Sequence, residues 1–355
     1  MSGLLTYPEA GIVGLLQGVT ELFPVSSLGH SVLIPAIVGG SWAKDLNVSK
    51  AESPYLAYIV GLHVATAIAM ITFFWRDWVR IVGAFFASLK HMIAPAPDTY
   101  RFQPQNTDQL LAWMIIVATI PVGVAGLALE HLFRTTFSKP IPTALFLFAN
   151  GLMLLGGEWL RRRRSGAEAE QHAADEAAVA AARERAAVAV GGAGAGYAVA
   201  RTGRHSSGQR ALRQHEANLA VEADKRLTQQ GFLGSFLLGA LQILALLPGI
   251  SRDGIVMVGG MFRGLTRQDA ARFSFLLSAP VILAAGVLKI PDLFGPLGAG
   301  IRGQVLFGSI LCGVGAYLAL RLLVRYLSDS SRTLTPFGIY CIVAGLSSAI
   351  YLAVR

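Results

Sequence analysis

Six long apolar runs, near residues 54 to 75, 110 to 130, 140 to 160, 272 to 290, 304 to 326 and 334 to 353, constrain this chain more than any other feature. Each is about long enough to cross ~30 Å of hydrocarbon as a helix rising 1.5 Å per residue. With 14% charged residues and a mean hydropathy of +0.54, the chain is excluded from the ordinary soluble enzymes, in which roughly a quarter of residues are charged.

Two further apolar stretches, 8 to 40 and 231 to 262, are broken in the middle. Pro24 and Gly29 interrupt the first, around Glu21, Ser26, Ser27 and His30; Pro248, Gly249 and Gly254 interrupt the second, around Ser251, Arg252 and Asp253. The arms on either side would be roughly 21 to 25 Å of helix, short for a span. They predict re-entrant hairpins, whose non-helical backbone must be buried in protein or line a wet cavity. The breaks also match each other: a glutamine (Gln17, Gln242), an apolar stretch, Pro-x-x-Ser (Pro24 to Ser27, Pro248 to Ser251), then a glycine within three residues. Three expected spans follow each break, and an odd number per half reverses the orientation of the second half. The expected fold is therefore an all-α polytopic membrane protein with six transmembrane helices and two re-entrant helical hairpins in an inverted repeat. Its parts are a first membrane half (1–160), a linker (161–230) and a second membrane half (231–355).

The linker opens with Arg161 to Arg164 and continues as Ala-, Glu-, Arg- and Gly-rich sequence that cannot bury a core. It holds 12 of the 30 lysines and arginines, so the net charge of +9 is expected to report membrane orientation rather than nucleic-acid binding. Its alanine-rich part, Ala173 to Ala189, is expected as a solvated helix. With the N-terminus outside, Arg76, Arg80, Lys90, Arg101, the Arg161 run, Arg263, Arg267, Arg325 and Arg332 fall on the cytoplasmic side, and mainly Arg134, Lys139 and Arg302 fall outside. Trp75, Trp78 and Trp159 sit at span ends, where an interfacial belt places them. The first basic residue is Lys44, so a cleaved signal peptide is not expected. Cys312 and Cys341 lie in apolar runs without metal or disulfide spacing.

Ionisable groups at membrane depth are costly and by default mark a site. Glu21, Ser27 and His30 at one break and Arg252 and Asp253 at the other would supply a carboxylate, a hydroxyl, an imidazole and a guanidinium. Such a set suits attack on a phosphoryl group. Arginine's planar fork matches phosphate oxygens, serine or histidine can act as nucleophile, and a carboxylate or imidazole can take its proton. Backbone N–H groups at the half-helix N-termini would favour an anion. The competing reading is structural polar glue between the hairpins. For His63 two readings stand open, a cavity-facing group or a satisfied structural histidine; Glu158 is expected to pair at the interface and Lys289 to snorkel.

The motifs "GVTELFPVSSLGH" (Gly18 to His30), "PGISRDG" (Pro248 to Gly254) and "ARFSFLLSAP" (Ala271 to Pro280) resemble the BacA-type undecaprenyl-diphosphate phosphatases of bacterial membranes. The resemblance extends over nearly the whole chain outside 161–230. It implies a multi-pass plasma-membrane enzyme that removes the terminal phosphate of undecaprenyl diphosphate, recycling the lipid carrier for peptidoglycan synthesis, and that is associated with bacitracin resistance. It implies Glu21, Ser27, His30 and Arg252 at the catalytic centre. Gln17, Ser26, Ser251, Asp253 and Gly254 are expected to bind substrate.

The motif leaves Ser27 or His30 as nucleophile. The favoured reading has Ser27 attacking, Glu21 or His30 handling its proton and Arg252 stabilising the oxyanion. The implied partners are a polyprenyl diphosphate lipid, the bilayer and, as an option, a second copy in a homodimer, with no nucleic acid. The cavity is expected to open to the outer face and the linker to be cytoplasmic.

The chain departs from the family pattern at three positions. Gln17 stands where a second glutamate is usual, which weakens the case for a divalent cation (Mg or Ca); no other cofactor is expected and no metal ligands are assigned. Asp253 and Val256 replace the usual serine and threonine of the second motif, and an aspartate there repels phosphate unless protonated, paired with Arg252 or bridging a cation. The alternative function is a transporter or flippase of a polyprenyl phosphate lipid, since inverted repeats with broken helices are a transporter architecture.

Overall fold

The computed structural model describes residues 5–46, 54–93, 104, 106–132, 136–163, 222–295, 298–329 and 331–354. The expected helix at Ala173 to Ala189 lies outside them. Among the described residues the secondary structure is helical throughout: α1 (Tyr7–Leu22), α2 (Ser27–Val38), α3 (Gly40–Asp45), α4 (Pro54–Phe73), α5 (Trp75–Ile93), α6 (Thr107–Leu132), α7 (Pro140–Arg163), α8 (Glu222–Thr228), α9 (Gly231–Leu241), α10 (Arg252–Phe262), α11 (Arg267–Phe294), α12 (Arg302–Leu327) and α13 (Thr335–Val354). Among the described residues five helices, within α6, α7, α11, α12 and α13, are long and apolar enough to cross a membrane; the remaining expected span coincides with α4. Their outward faces are apolar, as in Leu306, Ile310, Val314, Leu318 and Leu322 of α12 and Ile339, Val343, Leu346 and Ile350 of α13. Stripes of that extent, the inverse of a soluble helix, require hydrocarbon around them. The architecture is that of a polytopic membrane protein.

Both broken stretches form two helical arms joined by a non-helical turn. Helix α1 starts with a capping box between Thr6 and Glu9 and stops at Phe23, ahead of Pro24, which disfavours helical backbone in the residue before it. Helix α9 tightens into a 3-10 turn (Gln242–Leu246) before Pro248. Each second arm restarts on a serine cap: the Ser26 hydroxyl accepts from the Gly29 N–H and the Ser251 hydroxyl from the Gly254 N–H.

The first arms exchange between the halves. Helix α1 lies along α12 and α9 lies along α6, so each packs on the middle long helix of the opposite half. The contacts are glycine-mediated, the small-residue packing that holds membrane helices together where the hydrophobic effect supplies little. A Cβ at Gly14 would overlap the Gly308 carbonyl, one at Gly18 the Cys312 carbonyl, and one at Gly239 the Ala118 carbonyl. Gly239→Val is therefore expected to push α9 off α6 and destabilise the fold by about 1–3 kcal/mol, measured as a lower thermal midpoint in detergent.

Two elements differ from expectation. The apolar run ending at residue 75 is followed directly by α5, an amphipathic helix with Trp75, Val79, Val82 and Phe86 outward and Ile81 and Ser88 buried, where Ser88 accepts from Trp113 Nε1 at 2.9 Å. Its mixed composition hides it from a search for long apolar runs; only its helical period would have revealed it. The last residues of the expected linker form α8, which belongs to the folded body: Ala223, Asp224 and Leu227 are buried, and the chain turns by 84° into α9. Asp224 is held by Arg80 of α5 (2.5 Å) and Arg272 of α11 (2.6 Å). Arg272 also reaches Asp77 at 2.7 Å, and Arg80 pairs with Asp77 and Asp108. Nearby, Arg226 pairs with Asp269, and Glu158 accepts from Nε (2.7 Å) and Nη2 (2.6 Å) of Arg267 and from the N–H of Leu334, the residue before α13.

Candidate active site

The two breaks meet. Gly29 lies against Gly249, and Gly254 lies against Pro24, so the third residue after each capping serine packs on the opposite break in a reciprocal pattern. A Cβ on Gly29 would stand 3.0 Å from the Gly249 Cα, which explains why glycine occupies this crossing. The Ser26 hydroxyl accepts from the Gly249 N–H at 3.1 Å as well as from Gly29. Asn150 of α7 ties the breaks from the side: its amide nitrogen donates to the Pro24 carbonyl (3.0 Å), and its oxygen accepts from the Ser251 N–H (2.9 Å). Ser26 holds φ +66°, and no other described non-glycine residue has positive φ. A strained residue of this kind persists only where its surroundings over-determine it.

Glu21 is the hub. On α1, Gln17 lies one turn before it and donates from Nε2 to its Oε2 at 2.8 Å. Ser27, first residue of α2, donates its hydroxyl to the same oxygen. Arg252, first residue of α10, donates from Nη2 to Oε1 at 2.7 Å across the junction of the two breaks. From α4, His63 brings Nε2 to 3.8 Å of Oε2, and its Nδ1 lies 2.8 Å from the Ile59 carbonyl. Glu21 is only 8% exposed, so an ionised carboxylate there needs these partners. The arrangement places a hydroxyl, the carboxylate that can take its proton and a guanidinium within one contact shell.

The remaining expected site residues face elsewhere. His30, one turn after Ser27, places Nδ1 2.7 Å from the Ser26 carbonyl and Nε2 2.7 Å from the Tyr340 hydroxyl, its ring stacked on Tyr340 of α13. Asp253 follows Arg252, and adjacent helical residues point about 100° apart, so the two cannot share a target. Its Oδ1 accepts from the hydroxyls of Ser274 (2.7 Å) and Ser278 (2.6 Å) on α11, away from Glu21. Ser251 and Gly254 are engaged in the α10 cap, and Val256 is buried in the core. Sequence reasoning missed Asn150 and Tyr340. A lone asparagine in an apolar run is a usable signal, being a polar group at membrane depth; Tyr340 gave none beyond its position in a span.

A family model described as "Bacitracin resistance protein BacA" matches residues 10–193 and 187–347. Among curated relatives, an undecaprenyl-diphosphatase of Mycolicibacterium paratuberculosis is 55% identical over 355 residues, covering 100% of both chains. One of Mycobacterium avium is 54% identical over the same length and coverage. Undecaprenyl-diphosphatase 2 of Frankia alni is 48% identical over 364 residues, covering 99% of each.

Proposed function

Because this chain belongs to the BacA family, we infer that it is an integral-membrane phosphatase that hydrolyses undecaprenyl diphosphate to undecaprenyl phosphate and phosphate. It thereby recycles the lipid carrier of peptidoglycan synthesis and is associated with bacitracin resistance. The single observation that carries the chemistry is Glu21 gripped at once by Ser27 and Arg252 across the two breaks. Ser27 attacks the terminal phosphorus as Glu21 takes its proton, and Arg252, freed from Glu21 by the incoming anion or shared with it, neutralises the charge on the transferring phosphoryl oxygens. The Gly29 and Gly254 region, at two half-helix N-termini, offers the diphosphate a favourable field. His30, through Ser26 and Tyr340, orients the start of α2 rather than the proton of Ser27.

In this reading α4 is the sixth span, the two broken stretches are re-entrant hairpins, the cavity opens to the outer face and the linker is cytoplasmic. The reciprocal packing of α1 on α12 and α9 on α6 supports an inverted repeat. A divalent cation does not fit the donor set. The oxygens of Glu21 are engaged by Arg252, Ser27 and Gln17, the nearby Asp253 is turned to Ser274 and Ser278, and among the described residues no group of three His, Cys, Asp or Glu side chains is placed to hold a metal ion. Hard cations take several oxygen ligands, so no step is routed through a metal.

Detergent-purified protein is expected to release phosphate from undecaprenyl diphosphate at a rate unchanged by a chelator. Lipid translocation without phosphate release would favour a transporter instead. Asp253 is read as an anchor of α10 on α11. Asp253→Ser should keep the rate within about threefold, under 1 kcal/mol of barrier, while lowering the thermal midpoint. A strong rise would mean the carboxylate throttles the enzyme, and loss of activity would make it part of the mechanism.

A further inference from the structure

Hydrolysis of a fully ionised diphosphate ester, at a pH well above the second phosphate ionisation (pKa ~6), gives two phosphate dianions and releases a net proton. Ser27 loses its proton when its oxygen bonds to the terminal phosphorus and the bond to the prenyl phosphate breaks. Water then attacks the phosphoserine, its oxygen going to phosphorus and one of its hydrogens returning to Ser27. The proton first taken from Ser27 is left over and must leave the site in every turnover. Glu21 receives it but cannot hand it to solvent unaided, because its side chain is only 5% exposed and enclosed by Arg252, Gln17 and Ser27.

We propose that His63 is the proton exit of this site, accepting the Ser27 proton from Glu21 and passing it to water. The inference rests on the phosphatase reading above. Three observations carry it. The Nδ1 of His63 faces the Ile59 carbonyl at 2.8 Å, and a carbonyl can only accept, so Nδ1 bears the hydrogen and Nε2 is free to take a proton. Nε2 is the nitrogen aimed at Glu21, 3.8 Å from Oε2, the same oxygen that receives the Ser27 hydroxyl. That gap closes through one water or a small shift. The His63 side chain is 25% exposed, against 5% for Glu21, so it bridges the buried carboxylate and solvent.

The titratable and charged groups facing His63 from the packed helices are Glu21 of α1, Arg252 of α10 beyond it, and the Cys312 thiol of α12, which lies one turn along against Thr66 and the Leu62 carbonyl. Of these only Glu21 lies on the path of the Ser27 proton, because Arg252 donates to the other oxygen, Oε1, and the thiol is directed at Leu62. His63 touches Glu21 rather than the reacting atoms, so it is a positioning and relay residue.

The test is phosphate release across pH by wild type, His63→Gln and His63→Ala, with and without added imidazole. Wild type is expected to lose activity at the acidic end of the profile, where a protonated His63 cannot accept. His63→Gln should lower kcat about 100-fold with little change in KM and shift that acidic limb to lower pH by a unit or more. Imidazole should restore His63→Ala in a saturable way and leave Arg252→Ala unrescued. Wild-type rate and an unshifted limb in His63→Gln would overturn the relay alone. So would a rate loss in both variants that leaves the limb in place and that imidazole does not repair. A wild type that releases no phosphate would overturn the phosphatase reading and the relay together.

Discussion

Ser27→Ala abolishes phosphate release in this account, lowering kcat on the order of 10^4-fold or more, the scale on which losing a nucleophile removes the whole relay it belongs to. The fold should survive. Ser27 is the first residue of α2, whose cap is the neighbouring Ser26, so the alanine removes one hydrogen bond to Glu21 and leaves the cap intact. Arg252→Ala should cost about 10^2- to 10^3-fold, the range for losing one group that stabilises developing charge, and Arg252→Lys should not restore it because a point charge cannot replace the guanidinium fork. Since both residues act on Glu21, the double variant should be scarcely slower than Ser27→Ala alone. Phosphate release by detergent-purified proteins, with the thermal midpoint as the folding control, checks all four variants.

The largest expected loss of stability is at Asp224→Ala. Its carboxylate is fully buried between Arg80 and Arg272, themselves joined through Asp77. Burial works against the Arg80 charge, but Asp224, Asp108 and Asp77 together raise its pKa above the ordinary value. Removing one partner of a buried ion pair strands the others, at about 3–5 kcal/mol. This cluster joins α5, α6, α8 and α11, so its loss should free α8 from the body. Asp224→Ala should therefore lower the thermal midpoint in detergent and open a proteolytic site near α8. Asp329→Ala, whose partners Ser331 and Arg332 are local and exposed, should do neither.

How much of this was legible follows from what a membrane chain must obey. The breaks at Pro24 and Pro248 were readable because proline disfavours helical backbone in the residue before it, and both prolines coincide with serines and charged groups inside an apolar run. The grouping of Glu21, Ser27 and Arg252 was anticipated because charges at that depth need partners. That Asp253 turns away from this group was not readable. Arg252 and Asp253 are charged and adjacent, and only the packing of α10 on α11 decides which faces Glu21 and which faces Ser274 and Ser278. His63 was undecidable for a related reason: its distance from Glu21 depends on how α4 sits beside α1, which no local pattern encodes. Helix α5 and the docked α8 were not legible because one is amphipathic and the other short, so neither forms a long apolar run.

The most direct test of the central claim is to locate the phosphoryl group on the protein itself. Wild-type protein turning over undecaprenyl diphosphate, quenched at neutral pH to preserve acid-labile adducts and digested, is mapped by mass spectrometry. The account predicts phosphorylation at Ser27, in the peptide that also carries His30, with the label absent from Ser27→Ala. A phosphoryl group on His30, or its persistence on this peptide in Ser27→Ala, would contradict it.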